Sequence, residues 1–340
     1  MSHHSLSDSA ADPVERKVQL TGNSTFVVSL PKAWALDQGL ESGMSMYLYP
    51  HDDRVVAAPE HVSGRDRSVT IEATAVEGRT VVQRVRAAYT TGYDRITVTG
   101  TDRLEADTRR ELERTVGRLI GIEIQDVTDD QLSIANLLDA SEVSLPQTVA
   151  QARQLALELH GDAVDALLSN DDELARQVQN RNGDVDRLFA FVSRGFHRGL
   201  EDVREVGQLE TDRTVAFREY RIARQLTRIA DRADRIAAVA LRQSDPPDDA
   251  LRERIESVTT DTRTVVDAAL AGEFRSATET HSAVRASLTS LNRQLHGQSD
   301  ADARLYRSVF DDLRQTADIG IEIAETTLEA SVAQRETGVP

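Results

Sequence analysis

The chain has 340 residues, 39% of them hydrophobic, and a formal net charge of −17. That length allows more than one hydrophobic core, so two or three domains are expected. There is no cysteine, which excludes disulfides, thiolate metal sites and a cysteine nucleophile together. No apolar run approaches the roughly twenty residues of a bilayer span. The opening MSHHSLSDSAAD lacks a positive start followed by an apolar core. The expectation is a cytoplasmic protein without membrane insertion, with a disordered tail over residues 1–13.

Lys17 and Lys32 are the only lysines, so 38 of the 40 basic residues are arginine. An acidic surplus with so few lysines matches a halophilic protein in a very salty cytoplasm. There the Debye length is about 3 Å at 1 M salt, and a dense carboxylate surface repels itself little. The same screening weakens nucleic-acid binding that rests on counterion release. Net charge therefore argues neither for nor against DNA binding.

Along the chain, RKVQL (16–20) reads as a strand and TGNS as a turn in which Gly22 or Asn23 takes positive φ. TFVVS is a second strand, ended by Pro31, and KAWALDQ gives two helical turns closed by Gly39. Two more strands, SMYLY and RVVAA, are joined across HDD. A unit of about fifty residues is too small to stabilise itself comfortably alone, and dimerisation would complete its core. From Arg16 to Leu36 the segment contains no acidic residue.

From Ser68 the pattern changes to VTIEATA (strand), RTVVQRVRAAYTTG (helix), RITVTG (strand), TRRELERTVGRLIG (helix), then strands IEIQDV and QLSIANL. This predicts a small α/β domain over 67–140, its sheet covered on one face. Its polar residues show no convergent site.

After Leu145 strands disappear. Leu155, Leu159, Val164, Leu167 and Leu168 recur at helical spacing, as do Leu188, Phe191 and Val192, then Ile222, Leu226, Ile229, Ala233, Ile236 and Val239. SDPPDD (244–249) breaks the pattern, and three further helical stretches follow, around 250–271, 273–295 and 301–334. The halves resemble each other: AVDALLSN (163–170) matches VVDAALAG (265–272), and ADRADRIAAVAL (230–241) matches ADIGIEIAETTL (317–328). Two ordered matches suggest duplication of a three-helix unit, over 145–243 and 248–334.

RKVQLTGNSTFVVSLPKAW, continuing into DQGLESGM, resembles the AbrB/SpoVT looped-hinge-helix DNA-binding domain, through Arg16, Lys17, Gly22, Ser24, Thr25, Val27, Val28, Ser29, Leu30, Pro31, Lys32 and Trp34. The helical part resembles PhoU, the phosphate-uptake regulator built from two three-helix bundles, through TRIADRADRIAA and RQTADIGIEIAE. Together they resemble an archaeal, haloarchaeal-like PhoU-type regulator with a fused DNA-binding domain. The implied multidomain fold is a swapped-hairpin β domain (14–62), the α/β domain, and tandem three-helix bundles.

The first resemblance implies a homodimer that holds DNA phosphates with Arg16, Lys17, Ser24, Thr25 and Lys32, contacts that position without reading sequence. The helix positions often arginine in DNA-binding members are Ala35 and Leu36 here. The second implies carboxylate metal sites from E/D-x-x-x-D pairs, suited to iron, manganese, magnesium or zinc. Asp231 and Asp318 keep the second position, while the first is Thr227 or Arg314. Asp234 and Glu322 are the substitutes available. Arg228, Arg232 and Arg235 alternatively suit an anion.

His3, His4, His51, His160, His197, His281 and His296 lack an i, i+4 histidine partner, and no glycine loop, nucleophile elbow or acid pair supports catalysis. The expected function is a non-enzymatic, DNA-binding regulator of phosphate uptake and homeostasis. The alternatives are an adaptor docking on a phosphate transporter ATPase or sensor kinase, with the N-terminal domain used only to dimerise, and a carboxylate-metal hydrolase.

Overall fold

The computed structural model describes residues 13–22, 25–50, 55–58, 67–75, 78–138, 144–201, 213–295 and 301–336. The chain divides into two units, 1–65 and 66–340. Residues 1–12 of the expected tail, Ser24, His51 and His296 lie outside the described residues, and His3 and His4 fall within that tail.

In the first unit β1 (Gln19–Thr21) pairs antiparallel with β2 (Thr25–Val27), setting Leu20 opposite Phe26. Gly22 takes the left-handed φ of 65° that the turn requires. Helix α1 (Lys32–Asp37) follows Pro31. It ends in a Schellman motif: Gly39 N–H bonds Leu36 O at 3.0 Å and Leu40 N–H bonds Ala35 O at 2.8 Å. Strands β3 (Tyr47–Pro50) and β4 (Val55–Ala58) form a second antiparallel pair. The predicted strand, helix and turn order is present, although β1 starts three residues after Arg16. None of this unit's described residues is buried. Val18, Leu20, Phe26, Val28, Leu36, Leu48 and Val55 are all exposed, Phe26 to 77%.

The second unit opens with an α/β layer: β5 (Ser68–Glu72), α2 (Gly78–Thr90), β6 (Arg95–Thr99), α3 (Ala106–Arg118), β7 (Ile122–Val127) and β8 (Gln131–Asn136). The sheet order is β5-β6-β8-β7, with β5 and β6 parallel and the other pairs antiparallel. Alternation puts Ile71, Ile96, Val98, Leu132 and Ile134 on one face, where Val81, Val85, Tyr89, Leu112 and Val116 of the two helices cover them. The strand expected through Ala75 stops at Glu72 and tightens into a 3₁₀ turn over Ala73–Ala75, with Thr74 Oγ1 donating to Glu72 at 2.9 Å.

Among the described residues six long helices follow: α4 (Leu145–Ser169), α5 (Asp172–Glu201), α6 (Arg213–Ala240), α7 (Asp249–Leu270), α8 (Phe274–Leu295) and α9 (Ala301–Glu336). Asp171 Oδ1 caps α5 through Glu173 N–H and Leu174 N–H, and Asp248 Oδ1 caps α7 through Leu251 N–H at 2.8 Å. Helices α4, α5 and α6 pack on one another, as do α7, α8 and α9, and α6 packs against α9. The predicted apolar stripe of α6, from Ile222 to Val239, is buried throughout, and one continuous core runs through both groups.

Candidate functional site

Helices α6 and α9 run antiparallel and are bridged by a ladder of polar contacts. Arg221 pairs with Glu329, Arg228 with Glu322, and Arg232 Nη1 donates to Asp312 Oδ1 at 3.2 Å. Gln225 Nε2 donates to Glu322 at 2.8 Å, and Arg235 lies 3.7 Å from Asp312. Asp312 is 3% exposed, and burial raises its carboxyl's pKa against the opposing pull of Arg235 and Arg232. Arg228, Arg232 and Arg235, read as anion ligands from sequence, thus each face a carboxylate.

The four predicted metal-ligand residues fall on these two helices. Asp231 is exposed on α6, and Asp234 is half-buried, its carboxyl pKa raised by burial and by the like charge of Asp231. On α9, Asp318 Oδ1 meets His281 Nε2 of α8 at 2.6 Å, and Glu322 is held by Arg228 and Gln225. In the positions where the motif would supply the first acid, Thr227 is buried and bonds Arg224 O, and Arg314 pairs with Asp311 on its own helix. The residues do not fit a multinuclear metal centre, because half the acid set is replaced and Asp318 and Glu322 are engaged by His281 and Arg228. Among the described residues no group of three or more His, Asp or Glu could hold a metal. The His281–Asp318 contact joins two helices, so no i, i+4 spacing within one helix reveals it.

Asp186 of α5 faces the same acidic side. Burial raises its carboxyl's pKa most, Arg86 of α2 opposes that at 3.8 Å, and Asp231 adds repulsion. Deeper in the first bundle His160 is fully buried, both ring nitrogens lack a hydrogen-bond partner among the described residues, and burial followed by the Arg263 charge lowers its pKa to about 4.

A cavity of about 370 Å³ lies between α4, α6, α7 and α9, with Arg153, Arg218, Glu219 and Thr327 among its lining residues. Its two cations are already answered: Arg153 by Asp267 at 2.9 Å, Arg218 by Glu219 at 2.7 Å.

Four of the five predicted DNA contacts are among the described residues of the first unit. Arg16 and Lys17 precede β1, Thr25 opens β2 and Lys32 opens α1, and all four side chains are exposed. Arg16 Nη1 donates to the neighbouring Glu15 O at 3.0 Å. Ala35 is half-buried and Leu36 exposed on the same helix.

The middle domain holds the residues that the sequence reading missed. Asp94, at the start of β6, accepts from Arg194 Nη2 of α5 at 2.6 Å and also from Arg198. Arg194 and Asp94 are 6% and 13% exposed. No sequence pattern links residues a hundred positions apart. The middle domain is therefore anchored to α5, whose Ala190 enters its core.

No helix among the described residues is long and apolar enough to cross a membrane. None of the curated proteins matches the chain. Among solved structures, the phosphate transport system regulatory protein PhoU from Streptococcus pneumoniae is similar at 17% identity and TM-score 0.46, covering 56% of this chain and 94% of that one. The family model described as PhoU domain matches residues 149–240. The matched stretch runs through helices α4, α5 and α6, which are thus similar to a PhoU domain.

Proposed function

We propose that this chain is a cytoplasmic PhoU-type regulator of phosphate uptake and homeostasis that acts as a homodimer and binds promoter DNA through its N-terminal unit. The observation that carries the phosphate side is the PhoU domain over 149–240, set within six helices that pack as two groups of three.

Two features support the DNA side. The first is the acid-free run from Arg16 to Leu36 in a chain of charge −17, in which Arg16, Lys17 and Lys32 are exposed and the nearest acids, Glu15 and Asp37, stand only at its two ends. The second is the exposure of Phe26, Leu20, Val28, Leu36 and Leu48 in a unit with no buried described residue. A second copy supplies the apolar cover that such a surface needs. Arg16, Lys17, Ser24, Thr25 and Lys32 are assigned to the DNA backbone, and the geometry of the acids assigns no metal.

Ala35 and Leu36, where a cation would read bases, favour a second reading. In it the N-terminal unit only dimerises, and the bundles dock on a phosphate transporter ATPase or sensor kinase. Fluorescence anisotropy with phosphate-transport promoter DNA at high potassium chloride separates the two. The regulator reading expects specific binding that Lys32→Glu abolishes. No binding at any salt concentration supports the adaptor.

A further inference from the structure

The contact between the middle domain and α5 is built unlike an ordinary surface ion pair. Asp94 sits between two guanidinium groups, and all three side chains are at most 16% exposed. Burial pulls the Arg194 pKa downward, and Asp94 opposes it. The same arginines cap a helix. Arg194 Nη1 donates to Tyr89 O at 3.1 Å and Tyr93 O at 2.7 Å, and Arg198 Nη1 reaches Gly92 O at 3.3 Å. These carbonyls lie at the C-terminus of α2, where unsatisfied oxygens and the helix dipole favour a cation. Gly92 has φ of 93°, and a Cβ there would meet Arg198 Cγ at 2.6 Å, so the glycine admits the arginine stem.

Asp94 is also tied into the sheet through its own backbone. Its N–H bonds Arg67 O at 2.7 Å, its carbonyl accepts from Asn136 N–H at 2.7 Å, and its carboxylate accepts from Arg67 N–H at 3.2 Å. Moving Asp94 therefore moves the start of β5 and the end of β8 with it. The apolar part of the contact includes Ala190 in the middle domain's core and Ile120 against the bundle core, and Arg86 adds a half-exposed pair with Asp186.

We propose that the Arg194–Asp94–Arg198 triad is a coupling joint that makes the middle domain and the first three-helix bundle one mechanical body. Asp94 is its positioning residue. A guanidinium left in a low-dielectric contact without its carboxylate is strongly destabilising, so loss of the Asp94 charge opens the contact. The middle domain is the segment next in sequence to the N-terminal unit. On the regulator reading, which this last step rests on, a change in the bundle reaches that unit only while the joint is closed.

Hydrogen exchange read by mass spectrometry on the full chain tests the joint. Asp94→Asn removes the charge and keeps the shape. Exchange in the windows 89–96 and 186–200 is expected to speed up by about a hundredfold or more, while 255–295 in the second bundle stays unchanged. Unchanged exchange in both windows, or acceleration confined to 89–96, overturns the joint. If Asp94→Asn does not fold, Arg198→Gln keeps the Asp94–Arg194 pair, and a smaller acceleration of about tenfold is expected in the same two windows. No acceleration there overturns the proposal equally. Promoter binding supplies a separate arm. A wild-type chain without promoter binding defeats the regulator reading, while the exchange windows still decide the joint.

Discussion

Asn170 and Gly272 occupy one and the same place in the two halves of the helical region, the left-handed residue that ends α4 and α7, with φ of 56° and 77°. Each is followed by a 6→1 closing bond: Asp171 N–H to Ala166 O at 2.9 Å, and Glu273 N–H to Ala268 O at 2.8 Å. The shared cap falls within the AVDALLSN and VVDAALAG match, so the repeat extends to backbone conformation. Nothing would lie within 4 Å of a Cβ at Gly272, so Gly272→Ala tests backbone strain alone. It should destabilise by about 1–2 kcal/mol in urea unfolding. Asn170 tolerates its φ through its side chain, whose Oδ1 accepts from Gln243 Nε2 at 2.9 Å. Asn170→Gly should therefore relieve the strain and lose the bond, with a net change under about 1 kcal/mol.

The buried His160 gives a pH dependence of defined sign. Its folded pKa is depressed from 6.5 to about 4, so between those values the unfolded chain binds the proton and the folded chain does not. Stability from this group is fully present above pH 6.5 and is lost as pH falls toward 4, by about 3 kcal/mol in total. The raised carboxyls of Asp186, Asp234 and Asp312 have the opposite sign. Their contribution is present at low pH and is lost as pH rises through their folded values. A comparison of wild type with His160→Leu isolates the histidine: the variant should lose less stability between pH 7 and pH 4. Parallel curves would show that His160 has no part in the acid transition.

Chelation should leave the helical region unaffected. Glu322 is held by Arg228 and Gln225, Asp318 by His281, and Asp312 by Arg232, so protein cations and donors already occupy the acids of the seam. Thermal unfolding with and without EDTA, on protein purified without chelator, should give the same Tm within about 1 °C. Elemental analysis should find no stoichiometric iron, manganese, magnesium or zinc. A drop of several degrees with EDTA would restore the metal reading and reopen the hydrolase alternative.

Dimerisation should depend on the first unit. Phe26, opposite Leu20 in the β1–β2 ladder, is the most exposed large apolar residue among the described residues. Sedimentation equilibrium should find a dimer for the wild type and a monomer, or a dimer weakened at least about a hundredfold, for Phe26→Glu. An unchanged dimer would move the interface elsewhere.

Much of this architecture was legible locally. The strand, turn and helix order of the first unit follows from Gly22, Pro31 and Gly39, and the α6 stripe from a 3.6-residue period. Side-chain partnership was less legible. Asp94 with Arg194, His281 with Asp318, and Arg232 with Asp312 are contacts between elements 37 to 100 residues apart. Each residue taken alone reads as a solvated charge on a polar helix or turn. In a chain with 38 arginines, composition does not distinguish the few buried ones from the rest. The middle domain therefore looked featureless in sequence, although its Asp94 belongs to a buried ion network.

On the proposed regulator reading, phosphate status received by the helical bundles alters what the N-terminal unit binds. The most direct measurement is promoter binding by the full chain, followed by anisotropy at fixed high potassium chloride while free phosphate is varied at constant ionic strength. The account predicts specific binding whose Kd shifts at least about fivefold between low and high phosphate, the lower end of ordinary coupling between sites. Specific binding with a Kd independent of phosphate would contradict the coupling, and the absence of specific binding would contradict the regulator itself.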